Sequence, residues 1–186
     1  MLRRTAVTKI FFIFVMTAVS SVAFGQGHHP YAGLDQRAVK ALSEQQIADL
    51  KAGRGMGLAL PAELNGYPGP SHVLENADAL GLSADQRDRT KGLFDTMKAE
   101  AVPVGARLIE QETKLDRLFA DREITSATLS AVTEEIGMTQ AHLRQVHLKY
   151  HLAMMDVLSP SQVERYRELR GYGLKADQLH RPRSQH

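Results

Sequence analysis

The sequence predicts an all-α protein built around a long antiparallel helical hairpin with short flanking helices. Three observations predict it. Apolar residues recur at alternating steps of three and four along two long segments, no stretch reads as a confident strand, and a helix-starting motif, Leu-Ser-x-x-Gln, occurs three times. The chain has 186 residues, 43% of them hydrophobic and 24% charged, which suits one modest folded domain with some extra tail.

Residues 1–25 read as an export signal. Arg3, Arg4 and Lys9 precede an apolar run over 10–24, and the small residues Ala23 and Gly25 predict cleavage after Gly25. That run falls short of the ~20 apolar residues a spanning helix needs. The formal charge of +2 and the pI of 8.9 therefore mislead. Without the three basic residues of this segment, 20 basic side chains face 21 acidic ones and the charge is −1. Electrostatic binding to nucleic acid needs clustered excess Lys and Arg, so nucleic acid is excluded as a partner. The chain has no cysteine, which removes disulfides, thiolate metal sites, cysteine nucleophiles and a bacterial lipid anchor.

Residues 26–70 form an N-terminal extension and connector. The extension starts polar, with His28, His29 and Pro30, and a short helix is expected over 44–52. Residues 53–70 are rich in breakers, among them Gly53, Gly55, Gly57, Gly66, Pro68, Gly69 and Pro70, and predict little regular structure. These glycines do not lead into Gly-Lys-Ser/Thr, so they form no phosphate-binding loop.

Residues 71–170 form the hairpin domain. A short helix over 72–80 is stopped by Gly81. The first long helix carries Phe94, Met97, Ala101, Val104, Leu108, Gln111, Leu115 and Leu118 on one seam. The second carries Leu129, Val132, Ile136, Thr139, Leu143, Val146, Tyr150, Ala153 and Val157. This 3.5-residue period marks helices packed nearly along one another. The short polar link Asp121-Arg122-Glu123 makes them antiparallel. Pro103 costs the first helix one backbone bond and predicts a kink near 99–103. A last helix over 160–170 and a disordered tail over 171–186 complete the chain.

The repeated motif has a mechanical meaning. In Leu42-Ser43…Gln46, Leu82-Ser83…Gln86 and Leu158-Ser159…Gln162 the serine caps the N3 amide and the glutamine reaches back to the cap. The leucine can staple onto N4, which is Ile47 in the first copy and Val163 in the third but Arg87 in the second. Read this way, the serines start helices and do no chemistry.

Three copies in an exported, cysteine-free helical chain resemble the LTxxQ-motif family of periplasmic proteins, the Spy/CpxP-like chaperones and the related periplasmic heavy-metal sensor and resistance proteins. The resemblance covers roughly residues 72–170, where Leu82, Ser83 and Gln86, with Leu158, Ser159 and Gln162, bracket the hairpin as the family's paired motifs do. Serine stands for the usual threonine and keeps the hydroxyl. The resemblance implies a periplasmic homodimer that holds unfolded or misfolded envelope proteins without ATP, or docks on a membrane-bound sensor. Its alternative implication is a heavy-metal sensor or resistance protein using helical His and Met ligands. Surplus apolar residues off the seams, such as Leu93, Val102, Ile109 and Phe119, fit a dimer or client surface, or packing against the short helices.

The candidate metal site is His147, His151 and Met155, spaced i, i+4 and i+8 along one side of the second long helix. Two imidazoles four apart can share an ion, and a thioether beside them selects zinc, copper or nickel over calcium or magnesium. His147 is also one turn from Leu143, as a core-edge histidine would be. No serine stands in a nucleophile elbow and no cofactor fingerprint occurs, so the expectation is a protein that is not an enzyme.

Overall fold

Every long helix begins where a hydroxyl can cap it. In the computed structural model, which describes residues 31–172, the helices are α1 (Glu44–Lys51), α2 (Leu60–Glu63), α3 (Pro70–Glu75), α4 (Ala84–Ala120), α5 (Ser126–Met154) and α6 (Pro160–Leu169). A single 3-10 turn at Leu34–Gln36 precedes them, and there is no strand among the described residues. All of these elements lie within the unit Gly33–His186. The segment expected to be an export signal, His28, His29 and residues 173–186 of the expected tail lie outside the described residues.

The three serine-glutamine motifs all form full capping boxes, at Ser43 on α1, Ser83 on α4 and Ser159 on α6. A fourth box, Thr125 with Thr128, starts α5 without the leucine or the glutamine. Leu42, Leu82 and Leu158 are all buried. Where Arg87 stands at N4 there is no staple, and its guanidinium instead donates to the Leu82 carbonyl at 3.2 Å and to Asp78 at 2.8 Å.

The second and third motifs do more than start helices. Gln86 Nε2 donates to the Val157 carbonyl and to Gln162 Oε1, both at 2.8 Å. Gln162 Nε2 donates back to Gln86 Oε1 at 3.0 Å and to the Leu80 carbonyl at 3.3 Å. The two caps thus close a reciprocal amide clasp that ties the start of α4 to the start of α6. Gln46, in the first motif, caps only its own helix.

Helices α4 and α5 pack as the antiparallel hairpin that the seam predicts. Met97, Ala101 and Leu108 of α4 meet Val132, Ile136, Leu143, Val146 and Tyr150 of α5 in one core, which Val39, Leu42 and Leu50 complete. Phe94, Val104, Leu115 and Leu118 pack against it half-buried, while Leu129 is exposed. Helix α4 continues through Pro103 without a break. A second core at the base of the hairpin joins Val73, Ala77, Leu80, Leu82, Met154, Val157, Leu158 and Tyr166.

The short helices cover part of the surplus apolar surface. Leu50 of α1 lies so close to α4 that a Cβ on Gly105 would sit 2.6 Å from its carbonyl oxygen. Leu93 touches both cores. Phe119, near the tip, stays exposed. The connector has little regular structure, as the sequence predicts, beyond the one-turn helix α2, which Pro61 helps to start. The structure corrects two sequence expectations. The helix expected over 72–80 starts earlier and ends at Glu75, with turns to Gly81. Tyr172, expected in a loose tail, is half-buried and hydrogen-bonded.

Candidate functional site

Glycines in the connector let it lie against α5 at the two histidines. A Cβ on Gly69 would come within 2.7 Å of His151 Cε1 and 2.9 Å of its Nε2, so any side chain there would displace the ring. A Cβ on Gly55 would sit 3.4 Å from His147 Nδ1. Between connector and hairpin is a cleft of about 570 Å³. Both imidazoles line it, with Met56, Glu63, Met97 and Tyr172.

His147 and His151 are one turn apart and both buried, at 3% and 8% exposure. His151 Nδ1 lies 2.7 Å from the Tyr67 carbonyl. A carbonyl only accepts, so Nδ1 carries the proton, and in the neutral ring Nε2 holds the lone pair. His147 Nε2 is fully buried without a hydrogen-bond partner. Burial, with His151 adding to it, holds the His147 imidazole below its ordinary value of 6.5. The ring is therefore neutral at pH 7, the form that ligates metals.

Glu63 forms the wall behind His151. Its Oε1 accepts from the hydroxyls of Tyr166 and Tyr172, the latter at 2.8 Å, and lies 3.5 Å from Arg170 Nε. Its Oε2 is buried with no hydrogen-bond partner and sits 3.7 Å from His151 Nδ1. Burial first, and the Glu63 carboxylate behind it, push the Tyr166 phenol far above its ordinary range. The network fastens the C-terminal end of α6 to the connector and leaves one carboxylate oxygen uncommitted.

Of the sequence-predicted ligands, the cleft brings together His147 and His151. Met155 is the C-cap of α5, 39% exposed, and does not line the cleft. Met154 beside it is fully buried in the basal core. His72 reaches the cleft, but its Nδ1 is 2.9 Å from Glu75, and His142 lies in a separate groove with Met138 and Arg107. Sequence reasoning missed Met56, Glu63 and Met97. The periodic seam already explained Met97, and nothing in a Gly-rich connector marks Met56 or Glu63 as meeting α5.

No three or more His, Asp, Glu or Cys side chains converge to hold an ion among the described residues. What the cleft offers is the ring nitrogens of His147 and His151, one spare carboxylate oxygen and the thioethers of Met56 and Met97. A donor set of imidazole and thioether fits later transition metals and does not fit calcium or magnesium.

The family model described as heavy-metal resistance matches residues 56–165, from the lip of the cleft through the hairpin into α6. No curated protein and no solved structure matches the chain.

Proposed function

The chain belongs to the heavy-metal resistance family, and on that footing we propose that it binds a transition-metal ion in the cleft between the connector and α5, through His147 and His151. The family is typically periplasmic, and no helix among the described residues is long and apolar enough to cross a membrane. Both fit export directed by residues 1–25, with binding that withdraws the metal from the envelope or reports its level.

The observation that carries the reading is the pair of buried imidazoles one turn apart, His147 with a partnerless Nε2 and His151 with its Nδ1 committed to Tyr67. A polar atom buried without a partner costs about 1–3 kcal/mol, and a site that receives an ion is one reason a protein keeps one. The hydrogen bond to Tyr67 does for His151 what outer-shell partners do for metal-ligating histidines, fixing tautomer and ring orientation. Glu63 stands behind the same ring as the one uncommitted carboxylate oxygen. The bound metal would supply no reaction here. It is the cargo.

Calorimetric titration with zinc, copper and nickel tests the reading. At least one ion should bind with micromolar or tighter affinity, and a His147→Ala/His151→Ala double variant should lose that binding. Equal binding by the variant removes the site.

A second reading, ATP-independent holding of non-native envelope proteins, is favoured by one observation. Leu60 and Leu64, one turn apart at 51% and 55% exposure, form with Tyr67 an apolar lip beside the cleft. On α5 the exposed Met138 and Leu152, fourteen positions apart, share one side of the helix, and Leu129 points to the opposite side from Met138. Suppression of client aggregation without ATP that is lost in a Leu60→Ser/Leu64→Ser variant supports this reading, and no suppression at stoichiometric amounts sinks it.

A further inference from the structure

We infer that the outward face of α5 is an interface between two copies of this chain, and that its occupant is a second α5 running antiparallel to the first about a two-fold axis at the helix midpoint.

The inward seam of α5, from Val132 to Tyr150, is buried against α4 and the short helices. A second seam runs along the other side. Starting at Ala127, alternating steps of four and three lead through Glu134, Met138 and Gln145 to Leu152, almost the whole length of the helix. Every position on it is exposed except Leu148, which is half-buried, and Met138 and Leu152 are 61% and 60% exposed. A 3.5-residue period sustained over more than three heptads is the pattern of a helix that packs lengthwise on another helix. No element of the chain covers this one among the described residues.

Shape selects the partner and its direction. The seam can be paired with a reversed copy of itself about a point between Thr139 and Gln140, the middle of the Ser126–Met154 helix. Ala127 then meets the partner's Leu152, Ala131 meets the partner's Leu148, and Met138 meets the partner's Ala141. Each large side chain fills the room that a small one leaves, as close packing requires. Glu134 meets the partner's Gln145, polar on polar. A parallel copy would instead set alanine on alanine and Glu134 on Glu134, with gaps at the first and like charges at the second.

Charge selects the same direction. As far as Thr139, α5 carries Glu134 and Glu135 and no Lys or Arg, while its second half carries Arg144 and Lys149 and no Asp or Glu. Glu135 pairs with Lys114 of α4 at 3.8 Å and Lys149 with Glu100, which leaves Glu134 and Arg144 without ion pairs among the described residues. An antiparallel partner brings its Arg144, next to its Gln145, up to Glu134. Because the same patch serves both copies, association closes at two. His147 and His151 lie off this seam and stay in their cleft, so the interface stands apart from the metal reading.

Sedimentation velocity of the chain from Gln26 onward, the form expected after cleavage, should show a dimer at micromolar concentration. Met138→Glu/Leu152→Glu should raise its dissociation constant on the order of a hundredfold or more, because carboxylates would enter an apolar seam without partners. Both positions are exposed in the protomer, so helix content by circular dichroism and zinc binding should not change. The chain has no cysteine, which lets disulfide trapping read the direction. An equimolar mixture of Ala127→Cys and Leu152→Cys should crosslink on mild oxidation. Ala127→Cys alone should not, since its two copies would lie ~38 Å apart at a rise of about 1.5 Å per residue. A monomer at every concentration, a dimer untouched by the double glutamate variant, or crosslinking of Ala127→Cys to itself overturns the inference and leaves the histidine site standing.

Discussion

Gln86→Ala should cost far more stability than Gln46→Ala, although the two residues occupy the same place in the same motif. Gln46 Oε1 accepts from the Ser43 amide at 2.8 Å and makes no bond outside its own helix start. Its loss removes half a capping box and should cost about 0.5–1 kcal/mol. Gln86 makes the same bond, to the Ser83 amide at 3.1 Å, and adds the bond to the Val157 carbonyl and the reciprocal pair with Gln162. At a net ~1 kcal/mol for each of these bonds, the total is about 3–4 kcal/mol. Stranding the second amide of the clasp makes that a fair central figure. For a chain of this size the difference amounts to roughly 4–14 °C in Tm, at ~2–4 °C per kcal/mol. Urea unfolding of the parent, Gln86→Ala, Gln162→Ala and Gln86→Ala/Gln162→Ala closes a double-mutant cycle, with Gln46→Ala measured beside it. The coupling between the two glutamines should be at least about 1 kcal/mol. Equal costs for Gln46 and Gln86, or strict additivity across the cycle, would refute the clasp as a stabilising contact and return both motifs to simple helix starts.

Four further outcomes follow from the packing. Gly105→Ala, whose Cβ would sit 2.6 Å from the Leu50 carbonyl oxygen, should destabilise by about 1–3 kcal/mol despite alanine's better helix propensity, as overpacking does. Gly92→Ala in the same helix, with nothing within 4 Å, should instead stabilise by up to about 1 kcal/mol, so thermal melts of opposite sign check the pair. Burial pushes the Glu112 carboxyl above its ordinary value of 4.5, so its ionised form is disfavoured in the fold. That cost is absent at acid pH, where folded and unfolded chains are both protonated, and grows as pH rises past 4.5. Glu112→Gln should therefore match the parent near pH 3 and exceed it in stability at pH 7, and a pH-independent difference in urea midpoints would contradict this. Gly69→Ala should displace the His151 ring from Tyr67 and weaken zinc binding about tenfold, on the scale of lost outer-shell support, with little change in helix content by circular dichroism.

The hairpin was legible because its signal is local and repeated. Val132, Ile136, Leu143 and Val146 recur at helical spacing, so their burial follows from any partner helix on that side, and the short link at 121–123 left one arrangement. The capping serines were legible for the same reason, since donor and acceptor lie three residues apart. His147 and His151 were legible as a pair on one turn of α5. The segment that faces them was not. Met155 continues the spacing in sequence, but the helix ends there, and the cleft is closed from the other side by a segment some ninety residues earlier in the chain.

By itself, then, the sequence determined what depends on separations of three and four residues: helices, their starts, their apolar seams and the one-turn histidine pair. Only the tertiary structure decided what those elements face. It seated a connector without periodicity on two imidazoles, because glycine at 55 and 69 removes the side chains that would hold it off. It bound Gln86 to Gln162 across 76 positions and Glu63 to Tyr166 across 103. Contacts of that reach have no period for a sequence to display. They depend on the hairpin to hold their ends together, since closing so long a loop costs entropy.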